Sequence, residues 1–281
     1  MKRSILAINI ADTLERPEST VMIVDALNLA FRWKHSGKLN FVDEYIQTVY
    51  SLAKSYNAGT VIIAADWGSS SYRRDIYPEY KLDRKEKYET QTVAEKEAFE
   101  AFFQEYERVL EELGKRMKVF RYKGVEADDI AAWLVRYRKK FGFENIWLIS
   151  SDRDWDLLIS DNVSRFSYVT RKEITVDTWP YDVPIDQYIS YKCIVGDKGD
   201  NIPGIPGVGD KRACALLADY GDALTIYDSC PLPGAYKYIQ ALNDNKEQIL
   251  INYELMDLIA HCDEAIGQEN VKDLEWRLNE R

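Results

Sequence analysis

Nine carboxylates stand where a fold could bring them together. Val21-Met-Ile-Val-Asp25, Thr60-Val-Ile-Ile-Ala-Ala-Asp66 and Asn145-Ile-Trp-Leu-Ile-Ser-Ser-Asp152 each read as a buried strand that ends in Asp. Glu126-Ala-Asp128-Asp129 opens a helical pattern, Asp154 follows two residues after Asp152, and Asp197 and Asp200 lie in Gly196-Asp-Lys-Gly-Asp200-Asn. Taken singly, each Asp reads most simply as a helix cap or a strand exit. Converging at one sheet edge, so many carboxylates would repel strongly unless cations neutralised them. All the candidate ligands are oxygens and the chain has only two His, which selects Mg²⁺ or Mn²⁺ over a zinc site of the Cys/His kind. Two such ions about 4 Å apart clamp the attacking and leaving oxygens of a phosphodiester. A glycosidase needs only two carboxyls, and no GxxxxGK[ST] loop exists for a P-loop ATPase. A phosphatase with Asp25 as nucleophile would carry its DxD partner at position 27, which is Leu. A metal-dependent nuclease leads.

Two further stretches suit a phosphate-rich partner. Residues 72–88 interleave Tyr72, Arg73, Arg74, Tyr77, Tyr80, Lys81, Arg84, Lys85, Lys87 and Tyr88. Such alternation suits backbone tracking and base stacking on a single strand, although Asp75, Glu79, Asp83, Glu86 and Glu89 nearly balance the charge. Taken alone, the segment reads as a solvated charged helix; if it encloses a 5′ single strand, its lack of an apolar stripe over 69–97 fits a stretch that packs on nothing until DNA arrives. Asn201-Ile-Pro-Gly-Ile-Pro-Gly-Val-Gly-Asp-Lys-Arg-Ala213 has the glycine spacing of a helix-hairpin-helix. Gly204, Gly207 and Gly209 would let backbone amides approach a phosphate, with Lys211 and Arg212 adding charge.

These groups need a scaffold. The 281 residues are 46% apolar, enough for one large domain or a domain with a subdomain. Apolar residues at 41, 45, 49, 52 and 56 predict a helix that Asn57-Ala-Gly59 stops, and a second helix is expected over about 94–112. Val119–Tyr122 reads as a strand, Glu126–Lys140 as a helix, and Val163–Val169 with Ile174–Val176 as edge strands or a hairpin. From Asp186 the pattern turns helical. Alternating strands and helices predict an α/β fold with a mostly parallel central sheet covered on both faces. The expected organisation is a loose tail over 1–17, an α/β core over 18–185, and a helical region over 186–281 with its hairpin motif at 201–220. No apolar run approaches membrane length, and four scattered Cys fit a reducing cytoplasm. The net charge of −10 does not exclude nucleic acid, since outside the nine carboxylates the chain carries only −1.

In order and co-occurrence, Ile23-Val-Asp-Ala-Leu-Asn28, Tyr77-Pro-Glu-Tyr-Lys81, Gly124-Val-Glu-Ala-Asp-Asp129, Ile149-Ser-Ser-Asp-Arg-Asp154 and Val195–Gly209 resemble the 5′-nuclease, or flap endonuclease, family. The likeness covers about residues 20–260. It is nearest to free-standing phage enzymes, then to the 5′→3′ exonuclease domain of bacterial DNA polymerase I. It implies a PIN-like fold and a helical arch over residues 69–110, within the α/β core, threaded by a 5′ single strand. It also implies cleavage of DNA with 5′ flaps, forks or free 5′ ends to 5′-phosphate and 3′-hydroxyl products. By the same likeness, Asp25, Asp66, Glu126, Asp128 and Asp129 surround a first metal, and Asp152, Asp154, Asp197 and Asp200 a second, with Asp152 reaching toward both. Lys81 matches an arch lysine that offsets transition-state charge, Arg84 its phosphate-steering neighbour, and Lys192 a lysine near the cleft. Arg32 and Tyr80 are expected DNA contacts, as are the hairpin residues, where a K⁺ ion can bridge to phosphate. Many relatives have Gly in place of Ala26. The expectation is a monomer working by two-metal hydrolysis in the cytoplasm, the host's if phage-encoded, with no membrane contact. A non-catalytic structure-specific DNA-binding protein and a PIN-type ribonuclease remain the alternatives. The intact carboxylates argue against the first and the hairpin motif against the second.

Overall fold

A computed structural model describes residues 16–280, so most of the expected amino-terminal tail lies outside the described residues. Six strands form one sheet in the order β3-β2-β1-β4-β5-β6. They are β1 (Thr20–Asp25), β2 (Thr60–Ala64), β3 (Lys118–Phe120), β4 (Asn145–Ile149), β5 (Val163–Ser167) and β6 (Lys172–Ile174). All neighbours are parallel except β5 and β6, which form an antiparallel hairpin at the edge. β1 shows why the sheet is buried on both faces. Val21 and Ile23 enter one core while Met22 and Val24 enter the other, so an unbroken apolar run serves both sides.

The chain runs outward from β1 through β2 to β3, then returns to place β4 on the other side of β1. That reversal opens a crevice at the carboxyl ends of β1 and β4, where sheets of this kind bind ligands. The two outer expected strands stop short of their Asp. Regular pairing ends at Ala64 and Ile149, so Asp66 and Asp152 sit on the loops just beyond, and only Asp25 ends a strand proper.

One face carries α1 (Ala26–His35), α2 (Val42–Ser55) and α5 (Val93–Gly114), which begins at a Thr92–Glu95 capping box. Two short helices, α3 (Ser71–Ile76) and α4 (Leu82–Glu89), lie between β2 and α5. The other face carries α6 (Ala127–Arg136), shorter than expected because a separate 3₁₀ turn takes residues 138–141. A third core gathers α7 (Tyr188–Val195), α8 (Asp210–Tyr220), α9 (Ala223–Ser229), α10 (Lys237–Asp244) and α11 (Glu247–Met256). The last two helices, α12 (Leu258–Ile266) and α13 (Gln268–Asn279), return to the sheet core beside α6. Asp263 of α12 accepts bonds from Trp133 Nε1 at 2.9 Å and the Tyr137 hydroxyl at 2.7 Å. Among the described residues, no helix is long and apolar enough to cross a membrane.

Candidate active site

Asp25, Asp66, Glu126, Asp128 and Asp152 line one cleft of about 710 Å³ at the carboxyl edge of the sheet, together with Lys81 and Arg84. Asp128 also lines an adjoining narrow crevice with Asp154, Asp197, Asp200 and Lys192. Eight of the nine carboxylates therefore gather along one continuous seam, and Asp128 is the one that faces both parts. Local capping is not an alternative to this placement. Asp25 accepts from the Asn28 amide at 3.1 Å, Asp152 from the Asp154 amide at 3.0 Å, and Asp197 from the Gly199 amide at 2.8 Å. Each caps with one oxygen and still belongs to the seam.

Asp129 is the exception. It is fully buried, and Arg73 holds both its oxygens, at 3.0 and 2.7 Å. Its carboxylate lines neither cavity, so the expectation that it stands among the ligands is corrected: helical phase turns it inward, onto a buried guanidinium. Arg73 also donates to the Leu255 carbonyl at 2.7 Å and lies 3.4 Å from Glu126. It thus joins α3, the start of α6 and the end of α11. Among the candidate site residues this one was missed, because an Arg in a run of surface-type charges carries no sequence mark of burial.

Tyr80 is corrected as well. It is 4% exposed, with its hydroxyl 2.8 Å from Glu126 and 3.1 Å from Asp200, so no free ring face awaits a base. Lys81 adopts a left-handed backbone, φ 56°, and places its ammonium 2.8 Å from Glu126 and 3.4 Å from Asp200. Arg84 reaches Asp200 at 2.7 Å, and Lys192 bridges Asp154 and Asp197. The segment expected to pack on nothing is therefore pinned at its base by four side chains. Its charged anchors reach across the cleft while Ile76, Tyr77 and Tyr80 pack on the third core, and neither set forms a stripe that periodicity detects.

The carboxylates divide electrostatically. Burial raises Asp25 well above the ordinary Asp range, and Asp66 and Asp152 raise it further. Burial also raises Asp66, Asp128 and Asp152, with Glu126, Asp152 and Asp154 as their respective repelling neighbours. Burial opposes ionisation of Glu126 and Asp197 too, but Lys81 and Arg73 in one case and Lys192 in the other bring them below their usual range. As the side chains stand, no group of three or more Asp, Glu, His or Cys among the described residues is placed to hold an ion. Asp25, which is buried, and Asp66, Asp128 and Asp152, which are half-buried, nevertheless repel one another as oxygen donors and have the chemistry of a hard divalent-cation site, since a cation would reverse the penalty each now bears.

The glycine hairpin has two kinds of glycine. A Cβ on Gly204 would lie 2.0 Å from the Val195 carbonyl oxygen, so close backbone packing, rather than approach to phosphate, requires glycine there. Gly207 is left-handed at φ 76°, and Gly209, just before α8, faces open space. Lys211 is exposed and lines a shallow surface with Gly209 and Arg212, whose guanidinium lies 4.6 Å over the Tyr238 ring. Arg32 is exposed on α1, outside the main cleft.

Two family models match the chain, the 5′-3′ exonuclease N-terminal resolvase-like domain over residues 20–181 and the C-terminal SAM fold over residues 183–279. The chain belongs to the 5′-3′ exonuclease family. Among relatives in this family, the flap endonuclease of Escherichia phage T5 is 44% identical over 251 residues, covering 88% of this chain and 86% of that one. The thermostable DNA polymerase I of Thermus filiformis is 30% identical over 219 residues, 74% of this chain but only 25% of the polymerase. The T5 enzyme crystallised with DNA and metal ions superposes with a TM-score of 0.88 at 41% identity, over 92% of this chain and 97% of that one. The same T5 exonuclease has been crystallised with zinc, again over 92% of this chain and 98% of that one, with a TM-score of 0.88 at 42% identity. The catalytic core of Rad2 shares the fold alone, with a TM-score of 0.51 at 14% identity over 96% of this chain and 94% of that one.

Proposed function

We infer that this protein is a structure-specific 5′-nuclease that hydrolyses DNA phosphodiesters at 5′ flaps, forks and free 5′ ends. One observation carries the reading: eight carboxylates form a single seam at the switch point of the sheet, with Lys81 and Arg84 of a family-specific segment held over it. Asp25, Asp66, Glu126, Asp128 and Asp152 would hold divalent metal, and Asp154, Asp197 and Asp200 would complete a second position. Mg²⁺ or Mn²⁺ suits these oxygens. When bound, such ions supply charge neutralisation and an activated water for phosphodiester hydrolysis. The protein's own groups do the rest. Lys81 and Arg84 exchange their carboxylate partners for the scissile phosphate and offset the charge that develops on it. Gly207, Gly209 and Lys211 would hold duplex phosphates, and a K⁺ ion bound at the hairpin would add positive charge to that contact. A monomer suffices, since every group named comes from one chain.

The test pairs a 5′-flap DNA with a matched RNA hairpin, each with Mg²⁺, Mn²⁺ or chelator. Flap DNA should be cut with either ion and neither substrate with chelator. In Asp152→Asn, cleavage should fall by orders of magnitude while flap binding in Ca²⁺ survives. Preferential cutting of the RNA would favour the PIN-type ribonuclease, and metal-independent binding without cleavage would leave a pure DNA-binding protein.

A further inference from the structure

Tyr106 of α5 stands apart from the other buried tyrosines. It is 1% exposed, and its ring packs against Phe102 and Phe103 in the core on that face of the sheet. Yet Tyr106 Oη, sealed from solvent, has no hydrogen-bond partner. By contrast, the Tyr45 hydroxyl donates to the Ala26 carbonyl at 2.9 Å, and that of Tyr80 to Glu126 at 2.8 Å. A buried hydroxyl left without a partner is costly, and where one persists the usual reason is an ion, a water or a catalytic role.

Its location narrows the reason. Tyr106 lines the main cleft together with Asp25, Asp66 and Arg121. Ser69, three residues after Asp66, lines the same cleft, and its Oγ is likewise buried and unpartnered. Two unused hydroxyls therefore border the carboxylates assigned above to divalent metal. Arg121 fixes the spacing. Its guanidinium pairs with both oxygens of Glu107, the residue after Tyr106, at 2.6 and 2.7 Å, and its Nε donates to the Asp66 carbonyl at 3.1 Å. α5 is thereby tied to the loop that carries Asp66. Burial raises the Tyr106 phenol well above its ordinary range, and Tyr45, Asp66 and Asp25 raise it further, so the group is a neutral hydroxyl and not an anionic ligand.

We propose that Tyr106 is a positioning residue for the divalent ion at Asp25 and Asp66, its hydroxyl bonding a water of the ion's hydration shell. Mg²⁺ sheds water reluctantly and keeps several waters when one or two carboxylates hold it. Those waters need partners, and outer groups that bond them orient the ion's surroundings and raise its affinity. A neutral hydroxyl does this without adding to the repulsion among the carboxylates. The inference rests on the nuclease reading above and refines its metal position.

The experiment uses Tyr106→Phe, which removes the oxygen and keeps the ring. Mn²⁺ binding is titrated without DNA by the EPR signal of the free ion, and melting is followed in chelator. Since the lost hydroxyl has no partner in the metal-free fold, the melting temperature in chelator should match or exceed wild type. Mn²⁺ affinity at one site should weaken about three- to tenfold, and the Mg²⁺ concentration for half-maximal flap cleavage should rise by the same factor. Tyr137→Phe is the comparison. Its hydroxyl bonds Asp263 at 2.7 Å outside the cleft, so melting should fall while Mn²⁺ affinity holds. Unchanged Mn²⁺ affinity in Tyr106→Phe would overturn the proposal, and a loss confined to DNA binding would give the hydroxyl to a DNA phosphate instead. A melting temperature several degrees lower in chelator would also overturn it, by revealing a partner within the metal-free fold. If wild type binds no Mn²⁺, the metal-dependent nuclease reading fails and this inference falls with it; if wild type binds and Tyr106→Phe binds equally, this inference alone fails.

Discussion

Arg73 and Lys81 are both cations against carboxylates, yet they answer to different demands. Arg73 is 4% exposed and clamps a fully buried Asp129, so its removal leaves an unpaired charge in the core. Breaking such a pair costs about 3–5 kcal/mol, and Arg73→Met should lower unfolding free energy by about that much in urea titration. A loss under about 1 kcal/mol would mean that Asp129 finds another partner. Lys81 lies at the open face, shared between Glu126 and Asp200 at 2.8 and 3.4 Å, where an incoming phosphate can compete for it. Both of its partners are groups that a divalent ion would claim.

At the scale of elements, the glycine hairpin separates packing from recognition. Gly204 is pressed against the carbonyl of Val195 in α7, while Gly209 opens onto solvent before α8. Gly204→Ala should therefore lower the melting temperature by several degrees, since backbone on both sides must move. Lys211→Ala should leave the melting temperature unchanged but weaken duplex binding regardless of sequence, lowering the salt slope by about one. Thermal melts and a salt titration of DNA affinity check the pair. If Gly204→Ala melts like wild type, or Lys211→Ala leaves the salt slope unchanged, that division of labour fails. The segment over 69–97 makes the same point about elements: α3 and α4 lack an apolar face, but Arg73, Tyr80, Lys81 and Arg84 seat them on the acidic seam.

For the molecule as a whole, the seam is a standing electrostatic cost to the metal-free fold. Asp25, Asp66, Asp128 and Asp152 have raised folded pKa values, chiefly through burial. Their contribution is fully present below the unfolded value of about 4 and is lost as pH rises through the folded values. Glu126 and Asp197 run the other way, and stabilise until pH falls toward their lowered values. Between pH 7 and about 5, then, the melting temperature in chelator should rise as pH falls. Mg²⁺ should raise it more at pH 7 than at pH 5, because ligands must be deprotonated to bind. Calorimetry in chelator and in Mg²⁺ across that range is the measurement; a melting temperature that falls from pH 7 to 5 in chelator would show that the carboxylates do not repel one another as placed.

Sequence alone determined the parallel core and its acidic edge, because unbroken apolar runs make buried strands and the carboxylates follow those runs at short, readable distances. It also determined the family, through motifs whose order a single chain displays directly. What it could not display were relations between distant residues. Arg73 meets Asp129 across 56 positions, and Tyr80 meets Asp200 across 120, so burial of both depends on how α3, α6 and the turn after α7 dock. The inward turn of Asp129 follows from helical phase relative to a neighbour that sequence does not place. Gly204 owes its glycine to Val195, and Tyr106 meets Asp25 and Asp66 only because α5, β1 and the loop after β2 border the same cleft. Periodicity records which face of an element is apolar; which polar groups meet is decided when the elements pack, because an ion pair can form between any two positions the fold brings within reach.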